Sequence, residues 1–345
     1  MTKFTLPLAA FATLMLTGTA LAAPSVVAST KPVHSLVSAV MGNTGTPALI
    51  VKGSASPHTY SLRPSDAAAL EAADIVFWTG HGMELFLADA LETLSTNAQV
   101  VELAEAPGIE LLLVREGGAF EAHMHDGEDH EHDHEEEGHE EEHGHDNHDH
   151  DDHGHGHDDQ SGGAHDHEGH DHAHGEGDMH FWLDPENAKL MVAHIAQTLS
   201  AADPDNGAAY AANAEAETAR LDGLSAELTA TLGPVAEKPF IVFHDAYQYF
   251  ENRFDLTVAG TVTVSPEAMP GAARIDQLRA KVGELGATCV FAEPNFEPAI
   301  VRTIVEGTEA KAGTLDPEGS ALTEGPDLYP ELLRGLANGL VDCLS

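Results

Sequence analysis

Short apolar runs alternate with longer amphipathic stretches along most of this chain. In the N-terminal part, β-rich runs occupy residues 25–28, 48–51 and 75–78. Helical patterns lie between and after them, including 64–72 and 83–94. Strands that alternate with helices predict a parallel α/β arrangement. Further on, Asp184 and Pro185 read as the N-cap and first residue of a helix that ends near Ser200. The stretch 205–232 is rich in alanine, leucine and glutamate, has only Gly207 and Gly223 as internal weak points, and stops at Gly233-Pro234. Such a helix, at ~1.5 Å per residue, is a rod on the order of 40 Å long. The alternation then resumes: a strand over 240–243, a helix over 245–252, a strand over 258–264, a helix over 270–285 closed by Gly286, and a buried strand over 288–292. The predicted fold class is α/β. Two parallel-sheet lobes, residues 23–200 and 238–345, are joined by a rigid helix over 205–232.

Two segments fall outside this pattern. Residues 1–22 begin with Lys3, continue through a mostly apolar run from Leu6 to Leu16, and end in Ala20-Leu21-Ala22. This is the form of a secretory signal peptide cleaved after about Ala22, and it predicts export. No cysteine near that site suggests a lipid anchor, and no later stretch reaches the ~18 apolar residues of a membrane span. The second segment, residues 116–178, holds 18 of the 24 histidines and 24 of the 58 carboxylates, with no lysine or arginine. Imidazole recurs there as His123, His125, His130, His132, His134, His139, His143, His145, His148, His150, His153, His155, His157, His165, His167, His170, His172 and His174. Such a composition cannot bury a core, so a disordered loop is expected, with the histidines as accessory ligands for zinc, copper or nickel.

The loop carries −24 of the formal net charge of −43. A chain this acidic repels nucleic acid and anionic membranes and attracts cations. Only two cysteines occur, Cys289 and Cys343. In an exported protein an even count leaves no odd thiol, so a bridge tying the C-terminal tail to a strand is expected, with two buried free thiols as the alternative.

Six histidines lie outside the loop. His58 follows the turn-rich segment Ser54-Ala55-Ser56-Pro57, His180 sits at the loop's exit before Phe181-Trp182-Leu183, and His244 ends the apolar run 240–243. Strand C-terminal ends are where α/β folds build ligand sites. Three imidazoles with one further position suit zinc. His34 and His81 could approach the same crevice, whereas His194 lies in mid-helix and reads as structural.

These same segments carry a resemblance. Ser56-Pro57-His58-Thr59-Tyr60-Ser61-Leu62-Arg63-Pro64-Ser65-Asp66, Met179-His180-Phe181-Trp182-Leu183, Val242-Phe243-His244-Asp245-Ala246-Tyr247, Cys289-Val290-Phe291-Ala292-Glu293-Pro294 and Gly313-Thr314-Leu315-Asp316-Pro317 resemble the ZnuA family of zinc-uptake solute-binding proteins. The resemblance covers essentially the whole mature chain. It implies a periplasmic, monomeric, non-catalytic component of an ABC transporter, with one Zn2+ held in the crevice between two lobes. The loaded protein would deliver that ion, as its transported ligand, to a membrane permease, which in turn pairs with a cytoplasmic ATPase whose ATP hydrolysis drives import. Carried over by position, the ligands are His58, His180 and His244, with Asp316 or water as the fourth. A carboxylate used by some relatives just before the first histidine is replaced here by Pro57, and His244 stands where manganese-type relatives carry glutamate. The resemblance also supports the Cys289–Cys343 bridge.

Three other readings compete. His139-Glu140-Glu141-Glu142-His143 matches a zinc-peptidase pattern, but it lies among acids and glycines without an apolar-backed helix to fix its geometry. A periplasmic buffer or metallochaperone for zinc, nickel or copper would act through the loop and leave the three placed histidines unexplained. An adhesin role, which some relatives carry, finds no feature in its favour.

Overall fold

The computed structural model describes residues 23–115, 177–263, 271–284, 286, 289–296 and 298–345. The signal segment, the HExxH match and all eighteen loop histidines lie outside the described residues. The N-terminal part runs β1 (Val26–Ala28), α1 (Lys31–Met41), β2 (Ala48–Leu49), α2 (Pro64–Glu71), β3 (Ile75–Trp78), α3 (Leu85–Leu94) and β4 (Gln99–Glu102). Two helices follow, α4 (Pro185–Ala202) and the 26-residue α5 (Gly207–Leu232). The C-terminal part runs β5 (Phe240–Val242), α6 (Gln248–Phe254), β6 (Val258–Thr261), α7 (Ala272–Glu284), β7 (Cys289–Ala292), α8 (Pro298–Val305), β8 (Lys311–Thr314) and α9 (Leu328–Leu344).

Each part builds one four-stranded, all-parallel sheet, in the orders β2-β1-β3-β4 and β6-β5-β7-β8. The central strands β1, β3, β5 and β7 are buried on both faces, and alternation along them sorts side chains between two cores. Val27, Val76 and Trp78 join an outer cluster with Tyr60, Leu70 and Leu87. Ile241, Phe243 and Val290 join another with Leu278 and Ile304. The opposite faces, with Ile75 and Phe77 from one sheet and Phe240, Val242 and Phe291 from the other, enter a single cluster that runs through Trp182, Tyr210, Leu221, Leu228 and Tyr329. The long helix α5 therefore lends one face, from Tyr210 to Leu232, to the core that both sheets share.

Several expectations are met residue for residue. Asp184 caps α4 by accepting from the Glu186 amide at 2.8 Å, and Gly286 follows α7 with φ +61°. Cys289 is bonded to Cys343, tying α9 to β7. No helix among the described residues is long and apolar enough to cross a membrane. One helix starts later than its sequence suggests: α6 begins at Gln248, not Asp245, because the Asp245 carboxylate is taken by the Arg115 guanidinium instead of the α6 amides. Gly177 and Asp178, the last residues of the expected loop, are also placed. Gly177 bridges Leu113 antiparallel, and the buried Asp178 donates its amide to the Leu112 carbonyl at 2.7 Å.

Candidate metal centre

Each of the three histidines is held by its own local device. His58 lies in the turn-rich loop between β2 and α2, where the Ser56 hydroxyl accepts from its amide at 3.3 Å. The far end of that loop is stapled by Asp66, whose carboxylate accepts from the Arg63 amide at 3.0 Å and lies 2.8 Å from the Tyr60 hydroxyl. His180 directly precedes a 3-10 turn, Phe181–Leu183, buried against α4. That turn is fixed from the opposite lobe: Trp182 Nε1 donates to the Pro317 carbonyl at 3.1 Å, and the Tyr329 hydroxyl donates to the Trp182 carbonyl at 2.6 Å. His244 lies just beyond the C-terminal end of β5, as expected for a ligand site on a parallel sheet.

The tertiary structure brings these three together. Ring centroids are 5.5 Å apart for His58–His180, 5.6 Å for His58–His244 and 5.2 Å for His180–His244. One ligand atom from each lies within 4.8 Å of the other two, the only such grouping of histidine, cysteine or acid among the described residues. The Nε2 atoms of His180 and His244 stand 3.3 Å apart. With Zn–N bonds of ~2.0–2.1 Å, two nitrogens at that spacing subtend about 110° at the metal, the angle of a tetrahedral site.

Carboxylates set which nitrogen faces the ion. Asp178 Oδ1 lies 2.8 Å from His180 Nδ1, and Glu293 Oε1 lies 2.7 Å from His244 Nδ1. Each carboxylate accepts the Nδ1 proton, which leaves Nε2 with its lone pair toward the centre and makes it a stronger donor. Asp178 is itself held, its carbonyl accepting from Tyr249 at 2.7 Å and its carboxylate from Gln248 at 3.3 Å. Burial, with the positive fields of His180 and His244, pushes His58 down to about 2, so it remains a neutral donor. Burial also opposes charge on His244, but the Glu293 carboxylate outweighs it and, with Asp245 and Asp178, moves that imidazole upward.

The remaining sequence candidates lie elsewhere. Asp316 is outside the imidazole grouping; its carboxylate accepts from the Ser320 hydroxyl at 2.8 Å and from the Glu318 amide at 3.3 Å. Buried His34 on α1 places Nε2 3.1 Å from the Pro47 carbonyl. His81 is exposed, 3.1 Å from Glu102 and against Trp78. His194 lies within α4. The sequence assigned no role to Asp178, which falls among the loop acids, or to Glu293, which lies 49 residues from the imidazole it supports. The signal for Glu293 was its place directly beyond β7, the strand beside β5.

A family model for the periplasmic zinc-uptake complex component A, ZnuA, matches residues 26–343. The chain is 57% identical over 320 residues to the high-affinity zinc uptake system protein ZnuA of Brucella suis biovar 1, covering 93% of this chain and 91% of that one. It is 37% identical over 324 residues to the protein of the same description from Yersinia pestis, covering 94% and 92%. Among solved structures, a crystal structure of ZnuA shares the fold, with a TM-score of 0.66 at 23% identity over 93% of this chain and all of that one.

Proposed function

This chain belongs to the ZnuA family of periplasmic zinc-uptake components, and from that premise we propose that it is the high-affinity zinc-binding component of an ABC-type zinc importer. It captures one Zn2+ with His58, His180 and His244 and hands it to a membrane permease, with ATP hydrolysed by the importer's cytoplasmic subunit. The observation that carries this reading is the 3.3 Å spacing of two Nε2 atoms whose Nδ1 atoms both face carboxylates. Neutral nitrogens arranged for a tetrahedron favour zinc over manganese, which prefers oxygen. Asp178 and Glu293 also balance the charge of a divalent ion in a buried place. The chain acts as a carrier, working as a monomer in the periplasm after removal of residues 1–22. The loop histidines raise the local metal concentration through many weak sites.

The test is a zinc titration against a competing chelator, with manganese in parallel, on mature protein lacking residues 117–175. That deletion keeps Arg115, Gly177 and Asp178. The expected result is one tight zinc per chain and at least a hundredfold weaker binding in His58→Ala and His244→Ala. No tight site after the deletion would overturn the reading and move the function to buffering or metallochaperone work by the loop.

A further inference from the structure

An open pocket of about 450 Å³ is lined by none of the three imidazoles, but by neighbours of two of the residues that carry them. One wall is the loop that carries His58, and the other is Asn295 and Phe296, just beyond β7. Both walls touch the centre. The Ser56 hydroxyl accepts from the His58 amide, and the Phe296 ring stacks on Phe243 at 4.9 Å and meets His244 edge-on at 6.3 Å.

The lining has a definite chemical character. Ser54, Ser56, Thr59 and Ser61 supply hydroxyls along one side. The Arg63 guanidinium lies 5.6 Å over the Tyr60 ring and pairs with no carboxylate among the described residues. Across from them, Asn295 Oδ1 is shielded from solvent and accepts no hydrogen bond among the described residues. A row of donors, a cation and an acceptor that both lack such partners among the described residues together complement an anion that carries its own hydroxyl. The metal side asks for the same partner. Three imidazoles leave zinc one further position, and carboxylate oxygen is a ligand it takes readily. The chain does not fill that need from the obvious places: Pro57 precedes His58, and Asp316 is bonded to Ser320 and the Glu318 amide.

We propose that this cavity binds a small hydroxycarboxylate with at least two carboxylates, which enters with the metal as its co-ligand. One carboxylate completes the zinc coordination, a second pairs with Arg63, and the hydroxyl donates to Asn295 Oδ1. The Phe296 ring covers the carbon skeleton. This rests on the zinc-binding reading above and adds the form in which the cargo is accepted.

The test uses the mature, full-length chain carrying one equivalent of zinc, with isotopically labelled citrate as the probe in equilibrium dialysis. The wild type should retain one citrate per chain. Arg63→Ala and Asn295→Leu should each weaken citrate binding at least tenfold, while zinc affinity in citrate-free buffer stays within twofold. His58→Ala keeps the cavity and the loop but not the centre, and it should retain no citrate. Equal citrate retention by the wild type and these variants would place the anion on the loop and overturn the proposal. Stripping of zinc by citrate without a ternary complex would overturn it as well. Either result leaves zinc capture standing if the citrate-free titration still shows one tight ion. A wild type without that tight ion would bring down both readings.

Discussion

Two imidazole lone pairs held 3.3 Å apart repel unless a cation lies between them, so in the proposed zinc site protons and zinc would compete for one place. His58 does not take part in that contest near neutral pH, since its value is pushed down to about 2. His244 does, because Glu293 holds its proton above the ordinary imidazole value of about 6.5. At every pH below the raised value zinc binding should therefore release a proton, and over that same range log affinity should fall by about one per pH unit as pH falls. Calorimetry in buffers of different ionisation enthalpy measures this directly; a pH-independent affinity between 5.5 and 7 would refute it. The apo protein's stability carries the opposite signs at the two residues. The His244–Glu293 contribution is complete below about 6.5 and lost as pH rises through the raised value, whereas His58 destabilises the fold as pH falls from about 6.5 toward 2. Glu293→Gln keeps a hydrogen-bond acceptor but removes the charge, and should weaken zinc binding about 10–100-fold and abolish most of the proton release. The three imidazoles were legible in the sequence because each sits at an end: of a turn, a loop or a strand. Asp178 and Glu293 were not, because a supporting carboxylate leaves no local pattern, and its role exists only once the chain has brought it to a particular nitrogen.

At the scale of elements, one junction gathers a guanidinium and two carboxylates. Arg115 donates to Asp245 at 2.9 Å and to Glu251 at 2.8 and 2.7 Å, and so is tied to α6 and to the residue after His244. The Arg115 side chain is 23% exposed, and burial pushes Glu251 upward against the pull of Arg115. Arg115→Ala would leave two carboxylates facing each other without a cation, at a cost of about 2–3 kcal/mol by urea denaturation, together with faster zinc dissociation. A change under 0.5 kcal/mol would mean the junction is solvated. A second tie is covalent: the Cys289–Cys343 bond closes a separation of 54 residues. Its removal in Cys343→Ser should lower stability by up to about 4 kcal/mol while leaving the zinc stoichiometry at 25 °C unchanged. Strands with dense apolar runs, such as β3 and β5, were readable from the sequence, and so was α5 from its composition. The strand β8 was not. Its residues Lys311, Ala312, Gly313 and Thr314 carry almost no apolar signal, and Gly313 is small because a Cβ there would lie 2.4 Å from the Phe291 ring. What makes it a strand is its pairing with β7, a non-local cause.

For the whole molecule, the shared core decides how the two lobes behave. The inner faces of both sheets, the turn at Phe181–Leu183, α5 and α9 belong to one continuous cluster of buried side chains, and polar ties cross it. Lys31 on α1 donates to the carbonyls of Gly319, Ser320 and Leu322 at 3.2, 2.7 and 3.2 Å, and Tyr329 donates to Trp182. Separating the lobes would expose that cluster at roughly 25 cal/mol per Å² of apolar surface, so neither half should melt alone. Calorimetry on the protein lacking residues 117–175 should show a single transition whose calorimetric and van't Hoff enthalpies agree. Two resolved transitions would show that the lobes fold independently and that the shared core contributes little. In the proposed site His58 and His180 come from the N-terminal part and His244 from the C-terminal part, so zinc bound among them would hold the same junction that the core holds. Free zinc at 100 times its dissociation constant should then stabilise the single transition by about 2.7 kcal/mol, without splitting it. In His244→Ala that gain should vanish while the transition stays single, which separates the metal's contribution to the junction from that of the packing beneath it.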